Sequence, residues 1–297
     1  MANNIPNRQN EESALRQLAA SRRFYGWAKR ALAAQLLFVI FIPGCLLVTE
    51  MFVPAFKVWA AFIGLLIAIV DIALVDWLKD HFQSKGASVQ EVFDCDLFDL
   101  RPSALEADLP DREDFYAVPT GPRRNFLENW YPVEVGELPL FVARVACQRT
   151  NCWWDAKLRR FYRNGLLALG AITITLIAIT ALTLHLRFDD VVLALIAPML
   201  PFILWAFRQS REQNEAAKRA DRLKLFGDGL WRAVIARRIG PDEAATESRL
   251  FQSEIYQRRR RSPMIFDWFY WMFRNRFEEQ MQHGAAALVR EAKDRGF

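Results

Sequence analysis

Two long uncharged runs interrupt a chain that is otherwise rich in charge. Ala31–Thr49 is 19 residues without an ionised side chain, and Gly165–Leu186 is 22. A helix rises about 1.5 Å per residue, so 22 residues span roughly 33 Å, the thickness of a bilayer core. The apolar pattern predicts four membrane helices. They are Ala31–Val48, with Pro43 and Gly44 inside it, Ala55–Val75, with Lys57 at its start and Asp71 inside it, Leu166–Leu186, and Val191–Phe207, with Pro198 and Pro201. Turns at Thr49–Pro54 and Arg187–Asp190 pair them into two hairpins. Outside the spans the periodicity is again helical. Asn10–Arg30 places Leu15, Leu18 and Arg22 at helical spacing and runs into the first span. Pro139–Arg163 continues into the third span, and Gln209–Arg238 extends the fourth. Gly240–Pro241 ends that helix and opens another over Asp242–Arg261, because Gly stops a helix and Pro suits a first turn. Ser262–Pro263 repeats the signal, with Ser as cap, for a last helix to about Lys293. Asp99–Arg124, with Pro102, Pro110, Pro119 and Pro122, reads as loop and short helices.

The expected fold class is all-α: four transmembrane helices in two hairpins with a helical cytoplasmic domain. Its parts are an N-terminal helix (1–30), a first transmembrane hairpin (31–78), a middle domain (79–164), a second hairpin (165–207) and a C-terminal helical domain (208–297). The mean hydropathy of +0.01 conceals this segregation. With 23 Phe and 10 Trp the chain is no disordered polymer, and 13 Gly, 13 Pro and 4 Cys exclude collagen-like and disulfide scaffolds.

Charge supplies an orientation. All of the 39 Lys and Arg except Lys57 and Arg187 fall before Ala31, between Lys79 and Asn164, or after Phe207. The flanks Arg22, Arg23, Lys29 and Arg30, then Lys157, Arg159, Arg160 and Arg163, then Arg208 and Arg211, place both termini and the middle segment in the cytoplasm. The pI of 9.1 reports this bias before it reports nucleic acid, and no DNA or RNA partner is expected. No cleavable signal peptide is expected. In a reducing compartment Cys95, Cys147 and Cys152 are free thiols.

Candidate chemistry is sparse. Asp71 is the one acid well inside a span, and Thr173, Thr180 and Thr183 lie close to one face of the third. These four residues are candidates for lining a pore; the alternatives are a salt bridge at the membrane edge for Asp71 and local backbone hydrogen bonds for the threonines. Cys147-Gln-Arg-Thr-Asn-Cys152 lacks the further His or Cys of a zinc site, and nothing resembles a hydrolase, kinase or dinucleotide motif. No catalytic residue, cofactor or metal is expected. Two basic and aromatic clusters suit a small nucleotide, since guanidinium forks take phosphates and rings take bases. One holds Trp130, Tyr131, Arg144, Arg149, Trp153, Trp154, Lys157, Arg159, Arg160 and Tyr162. The other is Arg258–Arg261 with Phe266, Trp268, Phe269, Tyr270 and Trp271. Within them the candidate ligand residues are Trp130, Tyr131, Arg144, Arg149, Trp154, Arg159, Arg160, Arg258 and Arg259. The same residue types also anchor proteins to lipid headgroups and pack interfaces.

Short motifs in a fixed order resemble the SMODS-associated four-transmembrane effector family of bacterial anti-phage systems. They are Leu18-Ala-Ala-Ser-Arg-Arg-Phe-Tyr25, Val89-Gln-Glu-Val-Phe-Asp94, Asn129-Trp-Tyr-Pro132, Cys147-Gln-Arg-Thr-Asn151, Trp154-Asp155, Leu158-Arg-Arg-Phe-Tyr162, Arg249-Leu-Phe-Gln252 and Ser262-Pro-Met-Ile-Phe-Asp-Trp-Phe-Tyr270. The resemblance covers nearly the whole chain. It implies a non-enzymatic effector of the inner membrane, coupled to a nucleotidyltransferase that makes a cyclic oligonucleotide. The cytoplasmic part would bind that messenger, and the helices, in contact with membrane lipid, would assemble or open to cause abortive infection. Four helices enclose little space, so the pore is expected between subunits of a homo-oligomer. The competing expectations are a channel or transporter subunit gated by another signal, and a membrane-anchored scaffold.

Overall fold

The computed structural model describes residues 3–42, 44–46, 49, 53, 57–102, 111, 113 and 126–297. Among them every regular element is helical, and no strand is present. In chain order they are α1 (Ile5–Arg8), α2 (Glu12–Leu36), α3 (Lys57–Val70), α4 (Asp76–Phe98), α5 (Leu140–Thr183), α6 (Phe188–Asp190), α7 (Ala197–Ile235), α8 (Pro241–Arg261) and α9 (Asp267–Asp294). A 3-10 turn covers Val133–Glu137, and π turns cover Leu37–Phe41, Asp71–Val75 and Val191–Ile196.

The chain divides into two compact units. Unit 1 collects Met1–Gly26, Phe82–Leu158 and Ala216–Phe297; unit 2 is Trp27–His81 and Arg159–Glu215. Unit 1 is built like a water-soluble globule. Ile5, Leu15, Phe93, Phe98, Leu138 and Phe251 are among the side chains it fully encloses. Two glycines permit its closest approaches. A Cβ on Gly227 of α7 would stand 2.9 Å from the Phe251 ring of α8, and one on Gly136 would stand 2.6 Å from Pro6. Unit 2 has the opposite distribution: Phe41, Trp59, Leu65, Ile172, Leu176 and Leu204 are exposed. The buried apolar residues described in unit 2 include small ones, Ala28 and Ala206, beside Leu32, Val75 and Leu166. An exposed apolar surface this extensive is what a lipid-facing or subunit-facing unit presents.

The third predicted span is delivered as an uninterrupted apolar helix. It belongs to the 44-residue α5, the one helix among the described residues long and apolar enough to cross a membrane. The other three predicted spans each contain a π turn. For the fourth the cause is visible in the sequence. Pro198 and Pro201 lack an N–H and clash with the carbonyl four residues back, so the chain widens over Val191–Ile196 just before them. Asp71 opens the π turn of the second; its side chain lies outside the described ones. Most of the Thr49–Pro54 turn and of Asp99–Arg124 lies outside the described residues. The break after the third predicted span falls earlier than predicted. α5 stops at Thr183, His185 takes a positive φ of 49°, and Asp189 and Asp190 join a first helical turn, where acidic side chains face unpaired N–H groups.

The expected start of the last helix needs correction. Ser262–Pro263 does not open it; α9 begins at Asp267. Proline holds the residue before it extended, and Ser262 has φ −82° and ψ 138°. The extended stretch buries Met264 and Ile265, and the Ser262 carbonyl accepts a hydrogen bond from Gln83. The Gly240–Pro241 boundary stands as read, with Gly240 as N-cap and α8 starting at Pro241.

Candidate functional site

Unit 1 encloses a polar network assembled from four parts of the chain. α4 contributes Ser88, Glu91, Asp94 and Cys95. α8 contributes Arg249, Gln252, Tyr256 and Arg259, spaced at about one helical turn so that they share a face. α5 contributes Gln148, and the segment before the 3-10 turn contributes Tyr131. At the centre Asp94, fully buried, accepts from Arg259 at 2.6 Å, from the Tyr131 hydroxyl at 2.8 Å and from Gln252 at 2.9 Å. Glu91 accepts from Arg249 at 2.6 Å and from Gln252 at 2.8 Å. Gln148 donates to the Gln252 side chain at 3.1 Å, and Ser88 and Tyr256 share a hydrogen bond of 2.9 Å. Gln83 closes the end of α8 by donating to the carbonyls of Arg259 and Ser262. Tyr131 is held in place by Gln9, which accepts from its N–H at 2.8 Å and donates to its carbonyl at 3.1 Å.

The electrostatics follow from burial. Burial raises the pKa of Glu91 against the opposing pull of Gln252 and Arg249. Burial, then the Asp94 charge, raises Tyr131 well above its ordinary value. Burial opposes the Arg259 charge, yet Asp94 and the neighbouring tyrosines outweigh it and raise that guanidinium. Burial also raises the thiols of Cys95 and Cys147 and pushes Cys152 up to about 11, so all three are protonated and poor nucleophiles at neutral pH. Among the described residues no group of three or more His, Cys, Asp or Glu is placed to hold a metal ion.

Most of the arginines read as ligand candidates have protein partners. Arg259 faces Asp94, and Arg258, also buried, pairs with Asp155. Arg149 pairs with Asp228 at 2.8 Å, which Lys224 also contacts at 2.7 Å. Arg144 donates to the Phe98 carbonyl at 2.9 Å. Trp130 is partly buried against the core, and Trp154 packs on Tyr270 and Phe277. Arg159 and Arg160 belong to unit 2, where Arg159 donates to Gln213 at 2.8 Å. Of the pore candidates, Thr173 and Thr183 donate to the carbonyls of Leu169 and Ile179 in their own helix, and Thr180 is half-buried on the same helix.

A second cluster in unit 1 reaches the surface. α9 exposes Trp268, Trp271 and Met272 on one face. The guanidinium carbons of Arg22 and Arg274 stand 5.1 and 5.2 Å from the Trp271 ring centre. Phe126 meets Trp271 edge-on at 5.0 Å, and Arg22 also lies 5.7 Å from the Tyr270 ring. The sequence reading had grouped Trp271 and Tyr270 with Arg258–Arg261. It missed Arg22, Phe126 and Arg274; the i, i+3 spacing of Trp271 and Arg274 on one helix was the available signal.

Six residues of the network come from the motifs that carried the family resemblance. Glu91 and Asp94 come from Val89–Asp94, Tyr131 from Asn129–Pro132, Gln148 from Cys147–Asn151, and Arg249 and Gln252 from Arg249–Gln252. A family model described as the SMODS-associating 4TM effector domain matches residues 3–288. The chain belongs to the SMODS-associating 4TM effector family. It is 23% identical, over 92% of its own length and 94% of the other's, to a probable CBASS effector molecule from Bacillus cereus (strain VD146). No solved structure matches. The buried network ties α4, α5 and α8 to one another.

Proposed function

We propose that this 4TM effector is a membrane effector of a CBASS-like anti-phage system. Unit 1 binds a cyclic oligonucleotide made by a partner nucleotidyltransferase. Unit 2 forms two membrane hairpins in the bacterial inner membrane, with both termini cytoplasmic. On binding, copies of the chain assemble or open and breach the membrane, which stops the infected cell. The protein acts without catalysis.

The observation that carries this reading is the opposite sidedness of the two units. One buries most of its large apolar residues in a core and leaves a few, with several aromatics, at its surface; the other exposes leucines, isoleucines and phenylalanines along long helices. Water is a poor solvent for such a surface, at about 25 cal/mol for each Å² of apolar area. Lipid or neighbouring copies supply the missing contact. The named relative, a probable CBASS effector molecule, points the same way. α5 and α7 each contribute to both units, which gives ligand binding a covalent route to the apolar helices.

The test is dye leakage from liposomes reconstituted with the full chain, against a panel of cyclic di- and trinucleotides. One member should trigger leakage and bind the protein, with no leakage in its absence. Conductance independent of every nucleotide would favour a channel gated by another signal. Neither leakage nor binding with any member overturns the proposal.

A further inference from the structure

Arg22 and Arg274 share one aromatic ring, and that arrangement gathers two guanidinium groups at a surface of exposed aromatics. Each guanidinium carbon is about 5 Å from the centre of Trp271, at 5.1 and 5.2 Å, and the two cations repel one another. Arg22 lies beside the Tyr270 hydroxyl, which it can reach as a donor, and within electrostatic range of the Asp267 carboxylate. Arg274 donates from Nε to Glu278 at 3.2 Å and from Nη2 to the Phe126 carbonyl at 3.1 Å, while its Nη1, like one guanidinium nitrogen each of Arg144, Arg249, Arg258 and Arg259, is buried with no partner among the described residues. Arg149, Arg249, Arg258 and Arg259 of unit 1 each meet a carboxylate directly, as Arg274 does through Nε, whereas buried Arg144 donates to a backbone carbonyl. A neutral carbonyl thus holds one Arg274 donor that an anion would hold more strongly.

The surroundings specify the kind of anion. Trp268 and Trp271 are exposed on the same face of α9, one helical turn apart, and the exposed Phe126 packs against the second. A simple inorganic anion has no use for that ring surface. A phosphate carried on a flat heterocycle uses both parts: the two guanidinium forks take phosphate oxygens and the indoles stack on the ring. We propose that Arg22, Arg274 and the Trp268–Trp271 face form a phosphodiester site, in which Arg274 exchanges the Phe126 carbonyl for a phosphate oxygen. The nucleotide source rests on the function proposed above; a lipid headgroup carries the same phosphodiester and is the other source.

Full-length protein in detergent is titrated with cyclic di-AMP, cyclic di-GMP and a cyclic trinucleotide. In parallel it is mixed with phosphatidylglycerol vesicles and with phosphatidylcholine vesicles. Arg22→Gln and Arg274→Gln should each weaken the best-bound nucleotide tenfold or more, and Trp271→Leu should do the same, with Arg261→Gln as an unaffected control. Where a glutamine variant unfolds at a lower temperature, Arg22→Lys and Trp271→Phe replace it, and a loss of at least threefold is expected. Arginine-dependent binding to phosphatidylglycerol vesicles alone keeps the phosphodiester site and overturns its nucleotide source. Tight nucleotide binding that no variant alters overturns this site and leaves the proposed function standing. Wild-type protein that binds none of the probes overturns both.

Discussion

Replacing Asp94 by Asn tests whether the buried network is a charge-matched unit. The substitution preserves shape and removes one charge. Asp94 receives three donors: Arg259 at 2.6 Å, the Tyr131 hydroxyl at 2.8 Å and Gln252 at 2.9 Å. An amide can turn its NH2 toward Tyr131, whose hydroxyl then accepts, and keep its oxygen toward Arg259 and Gln252. Hydrogen-bond geometry thus survives largely intact, and the loss is electrostatic: Arg259 is left charged, buried and without a counter-ion. Removing one partner of such a pair costs about 3–5 kcal/mol. For a domain of 150–250 residues each kcal/mol moves Tm by about 2–4 °C, so the expected drop is roughly 6–20 °C. Thermal unfolding of the detergent-solubilised full chain, followed by tryptophan fluorescence, measures it. Arg259→Met should cost a similar amount by stranding Asp94. The pair Asp94→Leu with Arg259→Met should cost clearly less than the sum of the single changes, because neither charge is left buried without its partner. A shift under 2 °C for Asp94→Asn, or additivity in the double variant, refutes the reasoning.

Three further outcomes are expected. Asp228 is raised by its burial, but Lys224 and Arg149 outweigh this and hold its pKa below the ordinary carboxylate value, so its contribution is present above about pH 3.9 and lost as pH falls through the native value. The Tm gap between wild type and Asp228→Asn should therefore narrow from pH 7 toward pH 3; a constant gap contradicts the assignment. Gly227→Ala gains about 1 kcal/mol of helix propensity but places a methyl 2.9 Å from Phe251 and 3.0 Å from Arg149, a crowding worth about 1–3 kcal/mol, so it should lower Tm, whereas Gly229→Ala, with open space around it, should raise it. Thr173→Val with Thr183→Val should leave liposome leakage unchanged, since both hydroxyls are already bonded within their own helix at 3.0 and 2.9 Å; a marked loss of conductance would return them to the pore.

The helices were legible in the sequence because their signals are local. Gly240–Pro241 marks a boundary by the needs of two residues, and the apolar run in α5 is visible without any partner. Ser262–Pro263 misled because the same signals allow an extended, non-helical segment, and the choice was made by distant groups, Gln83 and the pocket that takes Met264 and Ile265. The Arg258–Arg261 run shows a different limit. Four adjacent arginines look alike in a line, but each step on a helix turns about 100°. Arg258 and Arg259 therefore point into carboxylates, Arg260 lies 5.6 Å from the Tyr256 ring, and Arg261 is exposed. Glu91 and Asp94 went unremarked because acidic residues on a charged helix look solvated. Their interleaving with Val89, Phe93 and Leu97, all buried, was the clue that this face turns inward.

The three-segment construction of unit 1 also sets a schedule for its synthesis. Asp94 and its counter-ion Arg259 are separated by 165 residues. At about 5–20 residues per second, roughly 8–33 s pass between the emergence of the acid and of the base. Every apolar run of unit 2 leaves the ribosome before that pairing can close. A truncated chain therefore carries its apolar helices without a completed globule, and quality control has a direct handle on it: an unpaired Asp94 helix and an open core remain accessible to proteases until the final third of the protein arrives.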